Sequence, residues 1–376
     1  MQIAFSTNTI EPYLNPAPFD GIGVYTAELY RHLAASGEIA LVPCCFPQLL
    51  RQVPAESKTK KFTLPYPLSA TITNLCGFNF HLAAEVKNSF DLYHATDYRI
   101  PKLSHKPIVA TLHDAVQLKN LQWVRNSARV YKNWILKKAA ERADLIIAIS
   151  KAVIPDLIDA YSLKEEQIRV VHSGIAADWF NPLAVDVIQK TLTKYKIDRN
   201  YILFVGTFQP RKNLARILAA YQALPNRVRK EFTLVLAGRK GWKTDTDINC
   251  INRLQARGEC VWLQGVFREE LKALYRAASL FLFPSLYEGF GLPVLEAFAS
   301  RVPVVTANVS ALPETAGGAA LLVDPYDNDA IVAGIEKGLF DTSLRSELID
   351  KGYCRAQAMS WQNCAEKMIA IYKELL

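Results

Sequence analysis

The 376-residue sequence has no apolar run that approaches the roughly 18 residues of a membrane-spanning helix. Residues 1–6 carry no charged n-region, so a secretory signal is not expected. The 7 cysteines show no Cys-x-x-Cys spacing, which is typical of reduced, buried thiols and argues against zinc and against a disulfide scaffold. We therefore expect a cytoplasmic protein.

Low-complexity tracts and solenoid-length repeats are also lacking, and an apolar fraction of 50% excludes intrinsic disorder. The length suggests two domains at roughly 150 residues each. The 44 Lys and Arg residues outnumber the 36 Asp and Glu residues, giving a net charge of +8. This charge suits an anionic partner without identifying it. Since the sequence has no nucleic-acid-binding motif, a nucleic acid partner is not expected.

Short, continuously apolar runs alternate with helical stretches along the whole chain, which is typical of parallel strands buried on both faces. We predict an α/β fold with two doubly wound domains, residues 1–180 and 181–357, facing across a cleft. The pattern is interrupted near residues 178–186. The predicted strands are residues 3–7, 40–45, 92–95, 107–112, 145–150, 168–172, 201–207, 232–238, 261–265, 280–284, 302–307 and 320–324.

A glycine-bearing loop connects a strand to a helix at residues 284–297. Gly289 and Gly291 let a ligand approach the backbone, and the first amides of the helix suit a phosphate or a sugar hydroxyl. Glu288 precedes the helix, and we predict Glu296 within its first turn, where both could reach one ligand. The alternative is that Glu296 only complements the helix dipole and that Glu288 is a solvated loop residue.

Two adjacent cations, Arg211 and Lys212, follow the strand that ends near Gly206. Arginine offers a fork of donors and lysine a point charge, so the pair suits a diphosphate. Cations at the start of a helix oppose its dipole, which makes a purely solvated role the weaker alternative.

Gly21 and Gly23 open the first helix after a long loop. They do not form a Gly-x-Gly-x-x-Gly fingerprint, because position 26 is Thr, and the second strand does not end in an acid. A dinucleotide is therefore not expected, while a glycine turn near phosphates stays open.

His113 and Asp114 follow another predicted strand. His113 could act as a donor or base with Asp114 orienting it, and a structural role is equally open. Metal ligands are not indicated, because the Asp-x-Asp pairs at 245–247 and 327–329 are typical of loops and helix caps.

Basic residues are concentrated between positions 119 and 142. Arg125, Arg129 and Lys132 are spaced for one helical face, with aromatic residues nearby. Such a helix could lie on an anionic membrane or meet an acidic acceptor, and the alternative is an ordinary solvated face.

Three motifs in order, residues 206–213, 288–296 and 311–318, make the chain similar to the retaining family 4 glycosyltransferases. The resemblance covers nearly the whole chain and implies the GT-B fold, a nucleotide-sugar donor and no metal or other cofactor. It also implies that a C-terminal helix, about residues 358–376, packs on the first domain.

The resemblance assigns roles to individual residues. Glu296 would hold the nucleotide ribose, and the diphosphate would lie against the cations and glycines of two loops: Gly206, Arg211, Lys212, Gly21 and Gly23. The transferred sugar would meet Glu288 and the amides of Gly289, Phe290, Gly291 and Leu292. His113 would lie near the sugar and the acceptor.

The residues of these motifs are most similar to those of enzymes that build bacterial surface polysaccharides, often from GDP-mannose. This implies a mannosyltransferase acting on a saccharide or a lipid-linked saccharide. The basic stretch leaves a peripheral position at the inner face of the membrane open. The alternatives are a UDP-sugar-dependent transferase of the same family and, more distantly, a nucleotide-sugar epimerase of the same architecture.

Overall fold

Two parallel β-sheets organise the chain in a computed structural model. The structure describes residues 1–12, 14, 20–48, 57–78, 89–120, 122–123 and 129–376. The strands are β1 Gln2–Ser6, β2 Ala40–Cys45, β3 Lys60–Lys61, β4 Leu92–Ala95, β5 Ile108–Leu112, β6 Leu145–Ala148, β7 Ile168–Val170, β8 Asn200–Val205, β9 Phe232–Ala237, β10 Cys260–Leu263, β11 Leu280–Phe283, β12 Val304–Ala307 and β13 Leu321–Val323.

The helices alternate with these strands. Those of the described residues are α1 Gly21–Ala35, α2 Tyr66–Cys76, α3 Val116–Lys119, α4 Arg129–Ala140, α5 Ile154–Tyr161, α6 Val185–Lys194, α7 Leu214–Ala223, α8 Asn226–Glu231, α9 Asp245–Ala256, α10 Arg268–Ala277, α11 Leu292–Ala299, α12 Leu312–Ala316, α13 Asn328–Phe340, α14 Thr342–Ala358 and α15 Trp361–Leu375. Short 3-10 helices form at Glu165–Gln167, Ala177–Trp179 and Pro210–Lys212.

Every predicted strand is present, and the doubly wound α/β architecture is confirmed. The first sheet has the order β3-β2-β1-β4-β5-β6-β7, and the second has the order β10-β9-β8-β11-β12-β13. Among the described residues, the one strand that the sequence did not reveal is β3, because two lysines at a sheet edge carry no apolar signal. Both sheets reverse their strand order once, between β1 and β4 and between β8 and β11. The carboxyl ends of the strands at such a switch point commonly form a ligand site.

The chain divides into two units. The first comprises Met1–Gly174 together with Trp361–Leu376, and the second comprises Ile175–Ser360. Helix α15 therefore belongs to the first unit, where it packs against α1. Lys373 of this helix pairs with Glu38 at 2.6 Å. No helix among the described residues is long and apolar enough to cross a membrane.

The central strands of each sheet are buried on both faces, which explains why they are continuously apolar. All residues of β5 and β11 are buried. In the second unit, the rings of Phe204, Phe281 and Phe283 stack at centroid distances of 5.6–6.2 Å. This packing fixes the ends of β8 and β11, from which the loops of the candidate site extend.

Candidate functional site

A buried cluster of three charges lies at the switch point of the second sheet. Arg211 Nη1 donates to Glu288 Oε2 at 2.8 Å, and Lys212 Nζ donates to Glu288 Oε1 at 2.6 Å. The cations follow β8 and the carboxylate follows β11, so the cluster joins the loops after neighbouring strands. The structure thus brings together two predicted diphosphate ligands and one predicted sugar ligand.

Local structure holds the two cations in place. Pro210–Lys212 forms a single 3-10 turn, and Asn213 then takes the left-handed conformation with φ +63°. The Asn213 amide donates to the carbonyls of Pro284 at 3.0 Å and Pro325 at 2.7 Å. Asn213 therefore ties the loop after β8 to the loops after β11 and β13, a role that sequence analysis missed.

The electrostatics of the cluster keep Glu288 ionised. Burial alone would raise the pKa of this carboxyl, but Arg211 and Lys212 outweigh burial and lower it to about 2. Only 6% of Glu288 is exposed, so the alternative of a solvated loop residue is wrong. Two positive charges face one negative charge here, which favours an anionic ligand.

The loop before α11 has the geometry of a ligand cradle. Gly291 has φ +112°, which residues with a Cβ rarely adopt, and a Cβ there would lie 2.9 Å from Leu312 Cδ2. Gly291 precedes Leu292 and offers no side-chain acceptor to cap the helix. The loop is held from α12, since Thr315 Oγ1 donates to the Phe290 carbonyl at 2.6 Å. Ser310 Oγ also accepts from the Glu288 amide at 2.9 Å.

Glu296 lies in the second turn of α11, which corrects the prediction of a first-turn position and removes its role as a dipole complement. The carboxylate is partly buried and accepts from the Tyr275 hydroxyl at 3.0 Å. Burial raises the pKa of Glu296 to about 7. The two glutamates of one motif therefore differ in charge near neutral pH. Sequence analysis missed Tyr275, because nothing in its spacing points to Glu296.

In the first unit, His113 follows β5 beside the end of β4. Its Nε2 lies 3.0 Å from the Thr96 carbonyl, so this nitrogen carries the proton and Nδ1 faces away from that bond. The ring packs edge-on against Tyr25 at 4.8 Å. Burial lowers the pKa of His113, which favours the neutral imidazole. The orienting partner is thus Thr96, while Asp114 accepts from the Val116 amide at 3.1 Å.

Gly21 and Gly23 lie in the first turn of α1. Asp20 caps this helix, because its Oδ1 accepts from the Gly23 amide at 3.0 Å. A Cβ at Gly21 would meet no atom of the described residues within 4 Å. The predicted glycine turn is therefore an aspartate-capped helix start.

A buried polar network below His113 was not predicted. His94 Nδ1 lies 2.6 Å from the Tyr372 hydroxyl, and His94 Nε2 lies 2.9 Å from Thr111 Oγ1. Thr111 Oγ1 is also 3.0 Å from the Tyr25 hydroxyl. Burial lowers the pKa of His94 to about 3, so it stays neutral. This network attaches α15 to the centre of the first sheet.

The predicted basic face is only partly described. Arg125 lies outside the described residues, Arg129 begins α4, and Lys132 is exposed on that helix. The Nε of Arg129 is shielded from solvent, unlike that of an ordinary solvated arginine. Asp327 caps α13, as predicted for its pair. The sequence predicts a loop for the pair at 245–247, but Asp245 begins α9 and both aspartates of the pair lie in the first turn of that helix. The described part of the chain contains no cluster of three His, Cys, Asp or Glu side chains fit for a metal ion.

Glu296 and Glu288 should give opposite pH dependences of stability. Ionising Glu296, with a pKa of about 7 against an ordinary 4.5, disfavours the folded state as the pH rises. Glu296→Gln should therefore raise the urea midpoint of unfolding at pH 8 and leave it unchanged at pH 4. A Glu296→Gln variant that is no more stable than wild type at pH 8 would contradict the raised pKa of Glu296.

Glu288→Gln is the matched variant with the opposite sign. In the wild type, the pKa of Glu288 in the folded state is about 2, below the ordinary 4.5, so its carboxylate stabilises the fold at neutral pH. The substitution should cost about 3 kcal/mol at pH 7, since it leaves two mostly buried cations without their carboxylate. The difference from wild type should shrink as the pH falls below 4.5.

Comparison with known proteins gives a consistent assignment. The family model "Glycosyltransferase Family 4" matches residues 19–179, and "Glycosyl transferases group 1" matches residues 188–355. The chain is 32% identical to the O-antigen chain mannosyltransferase B of Escherichia coli over 100% of both chains. It is 28% identical to the serotype-specific mannosyltransferase WbdA of Escherichia coli, over 71% of this chain and 33% of that protein.

The fold has close counterparts among solved structures. Sucrose-phosphate synthase from Thermosynechococcus elongatus superposes with a TM-score of 0.75 and 22% identity, over 100% of this chain and 98% of that one. This likeness confirms the predicted GT-B architecture of two Rossmann-like domains. With a full-length relative at 32% identity and family models matching both halves, the chain belongs to the family 4 glycosyltransferases, as its motifs predicted.

Proposed function

We propose that the protein is a retaining mannosyltransferase that moves mannose from GDP-mannose to a saccharide or lipid-linked saccharide in the cytoplasm. The observation that carries the proposal is the cluster of Arg211, Lys212 and Glu288 beside the cradle before α11. Mannose is favoured because the relatives above are named mannosyltransferases. The proposed reaction uses no metal.

In this proposal, the donor binds to residues 181–357 and the acceptor to residues 1–180 with the helix of residues 358–376. Glu296 accepts from the ribose hydroxyls, and its pKa of about 7 lets it change charge with the ligand. The sugar hydroxyls donate to Glu288, which is ionised and so serves as an acceptor. The backbone amides of the cradle, residues 289–292, donate to the sugar.

The diphosphate is assigned to Arg211 and Lys212, with Gly206 beside them. A phosphate role for Gly21 and Gly23 stays a prediction from the sequence. Both cations already bind Glu288 in the structure, so the arriving diphosphate competes for their donors. Arginine can serve two acceptors at once through its several N–H groups. The Arg211 side chain already does so, since its Nη1 also donates to the Tyr287 carbonyl at 3.0 Å.

Retention of configuration follows from a front-face reaction. The bond from the anomeric carbon to the diphosphate oxygen breaks, and the acceptor oxygen bonds to the same face of that carbon. The leaving oxygen takes the proton of the acceptor hydroxyl. Arg211 and Lys212 stabilise the charge that grows on the diphosphate. Neutral His113 donates its Nε2 proton to the Thr96 carbonyl, so Nδ1 can accept a hydrogen bond from a hydroxyl of the bound acceptor.

The donor can be identified by isothermal titration in EDTA with GDP, UDP, ADP and the sugar nucleotides GDP-mannose, UDP-glucose and UDP-N-acetylglucosamine. We expect selective binding of GDP and GDP-mannose. Selective binding of UDP and its sugars would replace mannose by the UDP-sugar alternative within the family. Binding of none of them would overturn the donor site, and sugar release without any acceptor would favour the epimerase alternative.

Arg211→Ala or Lys212→Ala should lower kcat by about 10²-fold, the scale of losing one oriented donor to a developing charge. The control is Arg216→Ala, because Arg216 is on the same loop-helix segment but packs over Tyr326, with its guanidinium carbon 5.5 Å from the ring centroid. Steady-state rates of mannosyl transfer distinguish these variants. Near-normal turnover in both site variants would contradict the assigned roles.

A peripheral contact with an anionic membrane is part of the proposal. Helices α2 and α4 pack together and expose large apolar side chains, including Leu75 at 72% and Val130 at 86%. Basic residues accompany them, with Lys132 and Lys58 exposed. Apolar side chains among lysines suit the interface of an anionic bilayer.

Vesicle sedimentation checks this contact. The wild-type protein should sediment with phosphatidylglycerol vesicles and stay in the supernatant with phosphatidylcholine. The double variant Leu75→Glu with Val130→Glu should lose most of the bound fraction. Val185→Glu is the matched control, because Val185 is 69% exposed in the second unit. Wild-type protein that stays in the supernatant with both lipids would contradict the contact.

A further inference from the structure

A single buried tyrosine orients the carboxylate that is proposed to bind the ribose. Tyr275 is fully buried, and its hydroxyl donates to Glu296 Oε2 at 3.0 Å. A carboxylate has about four acceptor positions, so this bond fixes the plane of the group and still leaves acceptor capacity for a ligand. Tyr275 can therefore orient the Glu296 carboxylate without contacting the ligand itself.

The same tyrosine ring packs against the start of the second unit. Trp179 lies edge-on to Tyr275, with the ring centroids 5.4 Å apart and the planes at 81°. On another side, the Phe281 ring of β11 lies 5.2 Å from Tyr275. Trp179 is only 4% exposed and belongs to residues 175–181, which we name the crossover segment. These are the first residues after the chain leaves the first unit.

Helix α10 anchors the crossover segment along one face. Arg268 and Lys272 bind Asp178 at 2.8 Å and 2.6 Å, and the Arg268 guanidinium also lies over the Trp179 ring. One turn on, Arg276 approaches the carbonyls of residues 179–181 at 3.4–3.5 Å. These three cations are four residues apart, so they share one side of the helix. Tyr275 is next to Arg276, and α10 thus contacts both the crossover segment and Glu296.

The second passage between the units lies beside the first. The Ile175 amide donates to the Met359 carbonyl at 2.8 Å, and Ile175 pairs with Ser360 in a parallel bridge. Ser360 is the last residue of the second unit before the chain returns to the first. The crossover segment, which is the first connection of the chain, is therefore bonded directly to the second.

We propose that Tyr275 is a positioning residue that orients the Glu296 carboxylate for the nucleotide ribose and, through Trp179, couples nucleotide binding to the crossover segment. This inference rests on the donor role proposed above for Glu296. When the ribose engages the carboxylate, the Tyr275 hydroxyl follows its acceptor, and the ring transmits the shift to Trp179. The connections of the chain thereby respond to an occupied donor site.

The coupling is testable by 19F NMR on the full-length protein labelled with 5-fluorotryptophan, which has 6 tryptophans. Trp179→Phe assigns the resonance of Trp179. On titration with GDP-mannose, the Trp179 resonance of the wild type should shift. In Tyr275→Phe, the Kd for GDP-mannose should rise about tenfold, the usual scale for losing a hydrogen bond to a charged group. When Tyr275→Phe is saturated with GDP-mannose, the 19F resonance of Trp179 should no longer shift.

The matched control is Tyr201→Phe. The Tyr201 hydroxyl is also buried in the second unit and donates to the carbonyl of Leu274, the neighbour of Tyr275, at 2.6 Å. Removing the Tyr201 hydroxyl removes a buried hydrogen bond to the same helix, α10, but does not affect the partner of Glu296. Wild-type Kd and shift in Tyr201→Phe, with both changed in Tyr275→Phe, support the proposal. Equal effects in the two variants, or no effect in Tyr275→Phe, would overturn it.

A pH profile separates positioning from a merely structural role. Glu296 faces the Tyr275 hydroxyl and the charges of Arg268 and Asp178. Tyr275 donates to the ionised form of Glu296, so Tyr275→Phe should move the midpoint of GDP-mannose affinity against pH upward by about one unit. GDP-mannose suits this test because its diphosphate diester does not titrate near neutral pH. An unchanged midpoint would overturn the positioning role.

Two outcomes keep the inference distinct from the proposed function. Failure of GDP-mannose to bind the wild type would overturn both together. Normal binding without a shift of the Trp179 resonance would overturn the coupling alone. If Tyr275→Phe does not fold, Trp179→Leu tests the coupling, because Trp179 is not a partner in the Tyr275–Glu296 hydrogen bond. The Kd of Trp179→Leu for GDP-mannose should rise about threefold, the scale of losing an edge-to-face aromatic pair. Wild-type affinity in Trp179→Leu would overturn the coupling.

Discussion

The second unit depends on one buried carboxylate held between two cations. Glu288 joins the loop after β8 to the loop after β11 through Arg211 and Lys212, although the partners are 76 and 77 residues apart in sequence. Taking such charges out of water is costly unless each has a partner. The fold supplies these partners at the switch point of the sheet, where a doubly wound architecture exposes its strand ends. A charged cluster at that place favours an anionic ligand over a purely structural role.

The two glutamates of one short motif have different properties because their surroundings differ. Glu288 lies in the loop, where two cations lower its pKa to about 2. Glu296 lies in the second turn of α11, where burial raises its pKa to about 7 and Tyr275 is its hydroxyl partner. One is a fixed negative charge, and the other changes its charge near neutral pH. Such a division of roles suits a ligand that presents a sugar and a ribose at separate points.

The first unit is organised differently around its candidate residue. His113 is oriented by the Thr96 carbonyl, and Tyr25 packs against its ring. Beneath it, His94 connects strand β4 to Thr111 of β5 and to Tyr372 of α15. The last helix of the chain thus reaches the sheet end that carries His113. Neutral, hydrogen-bonded imidazoles of this kind hold geometry without introducing buried charge.

The sequence by itself determined the strands, because parallel strands buried on both faces must be continuously apolar, and it identified the family through three ordered motifs. It also placed Arg211, Lys212 and Glu288 in loops that follow strand ends, and such loops converge at a switch point. Only the tertiary structure decided which atoms pair. The bond of Glu296 to Tyr275, the orientation of His113 by Thr96 rather than Asp114, and the short edge strand β3 depend on contacts between distant segments. Local spacing does not encode such contacts, because burial and side-chain direction are set by the packing of whole elements.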